Sequence, residues 1–231
     1  MKIILENNDA KLSLNTHGAY IEKFKIKDDM IFFPNVQFKI DDVLKPRGGM
    51  HPCLPNFGAD ASCNLSQHGF GRDLDWDIVN RTDNSVTLSL VGEKDYYKMN
   101  FTIYYELSKD SLYVRLNIEN NGKSLPIAPG FHPYFYSKNQ EIDIEGYKID
   151  KDKLEDTIFI STNDINFKTS NRNISIKVKE NVGRYAIWSD KKSDYVCVEP
   201  TFNGNSFTNN SDEPLILENG QSFNMEFEIK A

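Results

Sequence analysis

Cysteine is scarce in this chain. Three thiols in 231 residues, Cys53, Cys63 and Cys197, form no CxxC pair and leave one over from any pairing. That argues against a disulfide scaffold and for reduced thiols in a cytoplasmic setting. Histidine is also sparse, and the four imidazoles (His17, His51, His68, His132) are scattered along the sequence. Zinc sites need clustered ligands, so no metal is expected. Basic blocks are missing: the net charge is -7, which speaks against nucleic acid or an anionic membrane as the main partner. No stretch approaches the roughly 18 apolar residues of a membrane span. The opening MKIILENNDAKL loses its apolar run at Glu6-Asn7-Asn8-Asp9, too early for a signal peptide. No GxSxG elbow, phosphate loop or dinucleotide fingerprint is present, and Ser66 and Ser206 are ordinary loop serines. No cofactor is expected.

Phenylalanine and tyrosine are plentiful, at 15 and 11 residues against two tryptophans. They favour strands and supply flat surfaces on which a sugar or base ring stacks. The dominant period along the chain is two. Val86, Leu88 and Leu90 alternate with polar residues, as do Phe101 to Leu107, Leu112 to Ile118, Ile174 to Val178 and Phe223 to Ile229. Each set turns one face of a strand toward a core. Turn chemistry separates them at Thr82-Asp83-Asn84, Ser108-Lys109-Asp110, Asn120-Asn121-Gly122 and Glu218-Asn219-Gly220. Only Asp150 to Asp156 suggests a short helical turn. Many short strands without a linker or repeat imply an all-β antiparallel sandwich forming one domain over residues 1–231.

Two stretches break the alternation without being polar loops. Residues 46–76 are rich in Gly and Pro and show little regular pattern, and long loops of that kind tend to be functional. The second holds Gly130-Phe131-His132-Pro133-Tyr134-Phe135. Gly130 permits backbone geometry closed to other residues, Pro133 fixes the chain after His132, and the aromatics wall the imidazole. Such a histidine suits proton transfer near neutral pH. In Tyr195-Val196-Cys197-Val198-Glu199-Pro200, Glu199 shares a face with Tyr195 and Cys197, and Pro200 is expected to end the strand. A carboxylate among apolar residues is costly without a partner or a role. His68 lies beside Gly69 and Gly71, which would let a ligand approach the backbone, and Arg72 could fork onto hydroxyls or a phosphate. His17 and His51 read as ordinary loop or core residues. Together, His132, His68, Arg72 and Glu199 suit acid/base chemistry; an Asp or Glu pair flanking a glycosidic bond, which a glycoside hydrolase needs, is not evident.

At RGGMHPCLPNFG (47–58), HGFGRDLDW (68–76), PGFHPYF (129–135) and VCVEP (196–200), the chain resembles the aldose 1-epimerase (galactose mutarotase-like) family. The likeness is to the shorter branch that includes hexose-6-phosphate mutarotase-like proteins, and it runs from about residue 10 to the C-terminus. The resemblance implies a large antiparallel β-sandwich, the galactose mutarotase-like supersandwich, with the sugar bound in a groove on one sheet. By the same resemblance, His132 is the general acid that protonates the ring oxygen. Glu199 is then the general base on the C1 hydroxyl, His68 a second histidine near the ring oxygen, and Arg72 a substrate-contacting arginine. Arg47 and Arg72 hold the positions of a phosphate clamp, so the partner is a small-molecule sugar or sugar phosphate, bound by a monomer or homodimer. The family usually adds an Asp between the His and Glu elements. Asp143, Asp150, Asp152 and Asp156 are available here, with Asp150 favoured. The alternative is a non-catalytic carbohydrate-binding or sugar-sensing protein on the same fold, since a fold alone does not fix turnover.

Overall fold

The computed structural model describes residues 1–59, 64–204 and 213–231; Cys63 and Ser206 lie outside the described residues. Two large antiparallel sheets dominate. One has eight strands in the order Ile142–Ile144, Ile165–Thr169, Asn173–Glu180, Ser222–Lys230, Ser111–Asn120, Met99–Leu107, Ser85–Val91 and Asp77–Arg81. The other has nine. Its main path runs Lys2–Glu6, Ala10–Asn15, Tyr20–Ile26, Met50–Cys53, Gly130–Tyr136, Tyr195–Thr201, Arg184–Trp188 and Ile158–Ile160, with Asp29–Met30 beside Tyr20–Ile26. The chain is therefore the all-β sandwich its periodicity implies. Asp150 to Asp156 forms the expected turn, a 3-10 helix over Lys151–Asp156.

The two sheets bury one continuous core between them. Phe131 of the nine-stranded sheet meets Phe227 of the eight-stranded sheet edge-on at 5.3 Å, and Phe135 meets Phe167 at 4.9 Å. The Tyr105 hydroxyl crosses the core to donate to the Ala19 carbonyl at 3.1 Å. All five alternating sequence sets fall in the eight-stranded sheet, where buried and partly exposed residues take turns along each strand. The centre of the nine-stranded sheet differs. Every residue of Met50–Cys53 and Tyr195–Thr201 is buried, as is Gly130–Tyr136 up to Tyr136.

Three local expectations are corrected. Residues 46–76 are not one irregular stretch, because Met50–Cys53 is a central strand that registers His51 against His132. Two prolines and a glycine pair at its head disguise it. Pro200 does not end its strand, which runs on to Thr201. The ladder with Gly130–Tyr136 instead registers Tyr134 against Cys197 and resumes at Gly130 against Thr201. Pro133 and Pro200 lack N–H donors at this level, which accounts for the lapse. Gly130 is needed for space rather than for a left-handed backbone. A Cβ there would sit 2.8 Å from Phe57 Cδ2 and 3.1 Å from the Pro200 carbonyl oxygen.

Candidate functional site

The groove-facing side of that sheet centre gathers what the sequence scatters. His132 projects away from the core, opposite to its neighbour Phe131, and stacks on Tyr134 with ring centroids 4.6 Å apart and planes 10° from parallel. Trp188 meets it edge-on at 5.9 Å. Across the lapsed ladder stands Glu199, its Oε2 3.4 Å from His132 Nε2. That separation exceeds the roughly 2.7–2.9 Å of a charge-assisted hydrogen bond. The two groups therefore face one another without closing on each other.

Three of the four histidines meet here. His51 and His68 both lie 5.0 Å from His132, centroid to centroid, and 5.5 Å from each other. The His51 Nδ1–H donates to the Pro52 carbonyl at 3.2 Å, which leaves its Nε2 as an acceptor. His68 Nδ1 lies 3.4 Å from the Cys53 thiol. His51 is thus a site residue that looks like a loop histidine in the sequence; the recurring His-Pro dipeptide, at 51–52 and 132–133, is the signal that could have found it. His17 stays at the exposed rim, paired with Asp75 at 2.9 Å. The glycines beside His68 have a different use from the one expected. Gly69 (φ +62°) lets the loop close on its own chain, since a Cβ would lie 1.9 Å from the Leu54 carbonyl oxygen. Phe70 and Gly71 amides both donate to that oxygen, at 2.8 and 3.0 Å.

Burial sets the electrostatics. It drives the His132 imidazole well below its ordinary value, helped by His51 and His68. His51 falls likewise, and His68 drops to about 3, with Arg72 adding to burial. Burial pushes the Glu199 carboxyl well above its usual range. Charged forms are costly where water is excluded, so both members of the pair are driven toward their neutral forms. One proton then resides on the pair.

The arginines are held differently. Arg47 Nε donates to Asp190 at 2.8 Å, Nη1 to the Pro46 carbonyl at 2.9 Å, and the guanidinium lies 5.5 Å above the Trp188 ring. Asp190 also accepts from the Tyr195 hydroxyl. Arg72 is less committed, reaching the Gln67 carbonyl at 3.4 Å and Asp73 at 3.9 Å. His68, His132, Glu199, Arg47 and Arg72 all line a single cavity of 730 Å³. From the segment after His132, the acid that lines this cavity is Glu155. Asp150, the favoured aspartate, is occupied elsewhere, capping the 3-10 helix by accepting from the Asp152 amide at 3.1 Å.

This is a polar groove over a buried His132–Glu199 pair on a β-sandwich. The family model for aldose 1-epimerase matches residues 1–164. The chain belongs to the aldose 1-epimerase family. A Salmonella typhimurium protein named "Putative glucose-6-phosphate 1-epimerase" is 28% identical over 143 residues, covering 58% of this chain and 47% of that protein. The Escherichia coli protein YphB is 29% identical over 170 residues, covering 64% of this chain and 58% of YphB. The matches thus span about half the length of these relatives. A galactose mutarotase related enzyme from Lactobacillus acidophilus superimposes with a TM-score of 0.81 at 19% identity, over 100% of this chain and 97% of that one. Likeness at that identity speaks for the fold. Among the described residues, no helix is long and apolar enough to cross a membrane.

Proposed function

We propose that this member of the family is a mutarotase, interconverting the α and β anomers of an aldose or hexose 6-phosphate by acid/base opening and closure of the ring. The observation that carries this reading is the His132–Glu199 pair. Its members are buried, 3.4 Å apart and unbonded to each other, on the wall of a sugar-sized polar groove. Opening a cyclic hemiacetal requires a proton delivered to the ring oxygen while another leaves the C1 hydroxyl. His132 gives the first and Glu199 takes the second, so the pair passes from imidazolium and carboxylate to imidazole and carboxylic acid. That second distribution is the one burial favours. The open aldehyde turns about its C1–C2 bond, and the same two groups act in reverse to close the other anomer. One proton stays with the pair throughout, and neither a cofactor nor a covalent intermediate is called for.

His68 and Arg72 line the same cavity, and this reading gives them the ring-oxygen side of the sugar; Glu155 lines it too and suits a sugar hydroxyl. Tyr134, stacked on His132, and Trp188, beneath Arg47, complete the aromatic part of the cavity wall. Arg47 reaches the groove only as half of its pair with Asp190.

The test is direct. Crystalline α-D-glucose, α-D-galactose and α-D-glucose 6-phosphate are dissolved separately, and anomer equilibration is followed by polarimetry with and without protein. Saturable acceleration that is lost in His132→Ala is the expected result. Saturable sugar binding with an unchanged equilibration rate would instead make the chain a sugar-binding relative without turnover.

A further inference from the structure

The scatter of histidines along the sequence argues against a metal, but the fold removes that argument. His132, Cys197 and Glu199 are all buried, and one ligand atom from each lies within 4.8 Å of the other two. We propose that these three side chains form a binding site for a borderline-soft divalent cation, Zn²⁺ above all, which occupies the groove in competition with sugar.

The geometry comes from strand pairing. Tyr134 registers against Cys197, which sets His132 opposite Glu199 and diagonal to Cys197 on the same face. The 3.4 Å between His132 Nε2 and Glu199 Oε2 is long for a hydrogen bond between these groups. It matches the edge of a zinc tetrahedron, because Zn–N and Zn–O bonds of about 2.0–2.2 Å put neighbouring ligands roughly 3.4 Å apart. A nitrogen, a thiolate sulfur and a carboxylate oxygen together select zinc or cobalt over magnesium or calcium, which prefer oxygen alone. His132 and Glu199 line the cavity while Cys197 lies fully beneath it, so the fourth position opens toward the groove. Three protein ligands and one open position are the arrangement of exchangeable zinc sites rather than closed structural ones.

The surroundings set the strength. His132 Nδ1 is buried with no hydrogen-bond partner among the described residues, so no carboxylate or carbonyl fixes the ring from behind. Histidines that hold resident zinc almost always have such a partner. Cys197 and Glu199 must also give up protons to bind the cation, so affinity rises with pH. The site is therefore a reversible one. Its occupation takes the lone pairs of both members of the pair and stops proton transfer to the sugar. Binding itself does not depend on the mutarotase reading.

Cobalt(II) is the probe, since a Co–thiolate bond gives a near-ultraviolet charge-transfer band and tetrahedral cobalt gives intense visible bands. We expect both bands on adding Co²⁺ to the metal-free protein, their loss on adding Zn²⁺, and their loss in Cys197→Ser. Cys53→Ser, which removes the thiol beside His51 and His68, keeps them. Mutarotation in the presence of EDTA should be unaffected in Cys197→Ser, whereas added Zn²⁺ inhibits the wild type competitively with sugar and spares that variant. Circular dichroism confirms that each variant is folded. Absent bands in the wild type, or bands that survive Cys197→Ser and vanish in Cys53→Ser, would overturn the assignment. Bands without any mutarotation in EDTA would uphold the cation site and sink the mutarotase reading instead.

Discussion

The outward faces of the two sheets are built on the same pleat and come to opposite ends. On the eight-stranded sheet the outward residues include Tyr104, Tyr113, Arg115, Glu226 and Glu228, partly or fully exposed; Tyr113 pairs with Glu226, Arg115 with the Tyr104 ring and Glu228 with Ser111. On the centre of the nine-stranded sheet the outward residues are His51, His132, Tyr134, Tyr195, Cys197 and Glu199, all buried. Loops and the aromatic wall cover the second face. A titratable group on the first face keeps its water, whereas one on the second must be neutral, paired or used. Covering an outward face converts ordinary side chains into chemistry.

Two neighbours on one strand give the sharpest way to break this contrast. Phe131 faces the core and His132 faces the groove. Replacing His132 by Ala, or Glu199 by Gln, should lower kcat/KM for mutarotation by about 10²–10⁴-fold. The folded state should persist, since Glu199 is already driven toward its neutral form and Gln has nearly its shape. Phe131→Ala should do the reverse, costing about 3–5 kcal/mol in urea-denaturation stability by opening a cavity against Phe227. If Phe131→Ala kept little mutarotation at low temperature while its stability was unchanged, the two faces would not be separable.

The second contrast is in acid. His51, His68 and His132 are held neutral by burial, His68 down to about 3, while an unfolded histidine titrates near its ordinary value of 6.5. Below 6.5 the unfolded chain binds protons that the folded chain refuses, so stability falls as pH drops. Glu199 acts in the opposite sense, because its raised value makes unfolding release a proton above the ordinary carboxyl value of 4.5. Three protons taken up against one released leave about two, so stability should fall on the order of 2–3 kcal/mol per pH unit between about pH 6 and 5. Denaturation midpoints at those pH values measure it, and His51→Gln with His68→Gln should flatten the slope. A midpoint indifferent to pH in this window would mean that the imidazoles reach water.

Sequence and structure part company along the same divide. Alternation of apolar and polar residues located strands in the eight-stranded sheet, where the outward face remains polar. It fails at the centre of the other sheet, although that sheet's edge strands Lys2–Glu6, Ala10–Asn15 and Tyr20–Ile26 also keep polar residues outside. Strands such as Met50–Cys53 and Gly130–Tyr136, buried on both faces, carry no such rhythm; their Gly, Pro and His punctuation pointed to function but hid His51 in an apparent loop. His132 and Glu199 were legible because each is an odd residue in an apolar run. Asp190 and Glu155 were not, since Ser189-Asp190-Lys191-Lys192 reads as a solvated turn and Leu154-Glu155-Asp156 as a charged helix end. Nothing local in either segment reports that a groove lies above it.

Asp190 offers a subtler test at the edge of the covered face. Its carboxylate holds Arg47 over Trp188 and accepts from Tyr195, and the Arg47–Asp190 pair is largely shielded from water. Asp190→Asn keeps the shape but removes the charge that balances the guanidinium. A lost charge-assisted hydrogen bond is worth about 1.5–3 kcal/mol, so KM should change by about 10- to 150-fold while kcat moves little. The ratio of kcat/KM for glucose 6-phosphate to that for glucose should rise, because an unbalanced Arg47 attracts a dianion. A fall in that ratio would show that Asp190 instead aims Arg47 at the phosphate.

The smallest effect is expected on the uncovered face. The Tyr113 hydroxyl donates to Glu226 Oε2 at 2.5 Å, shorter than the 2.8 Å between Arg47 and Asp190 at the groove. Tyr113 and Glu226 are both partly exposed, and water is at hand to replace either partner. Tyr113→Phe should therefore cost no more than about 1 kcal/mol in denaturation stability and leave mutarotation unchanged. The same hydroxyl deletion at Tyr195, whose partner Asp190 is largely shielded from water, should cost more, because solvent replaces the lost donor less readily there even though Arg47 still holds the carboxylate. Equal losses at the two tyrosines would mean that distance, and not the covering of the face, decides what such a bond is worth.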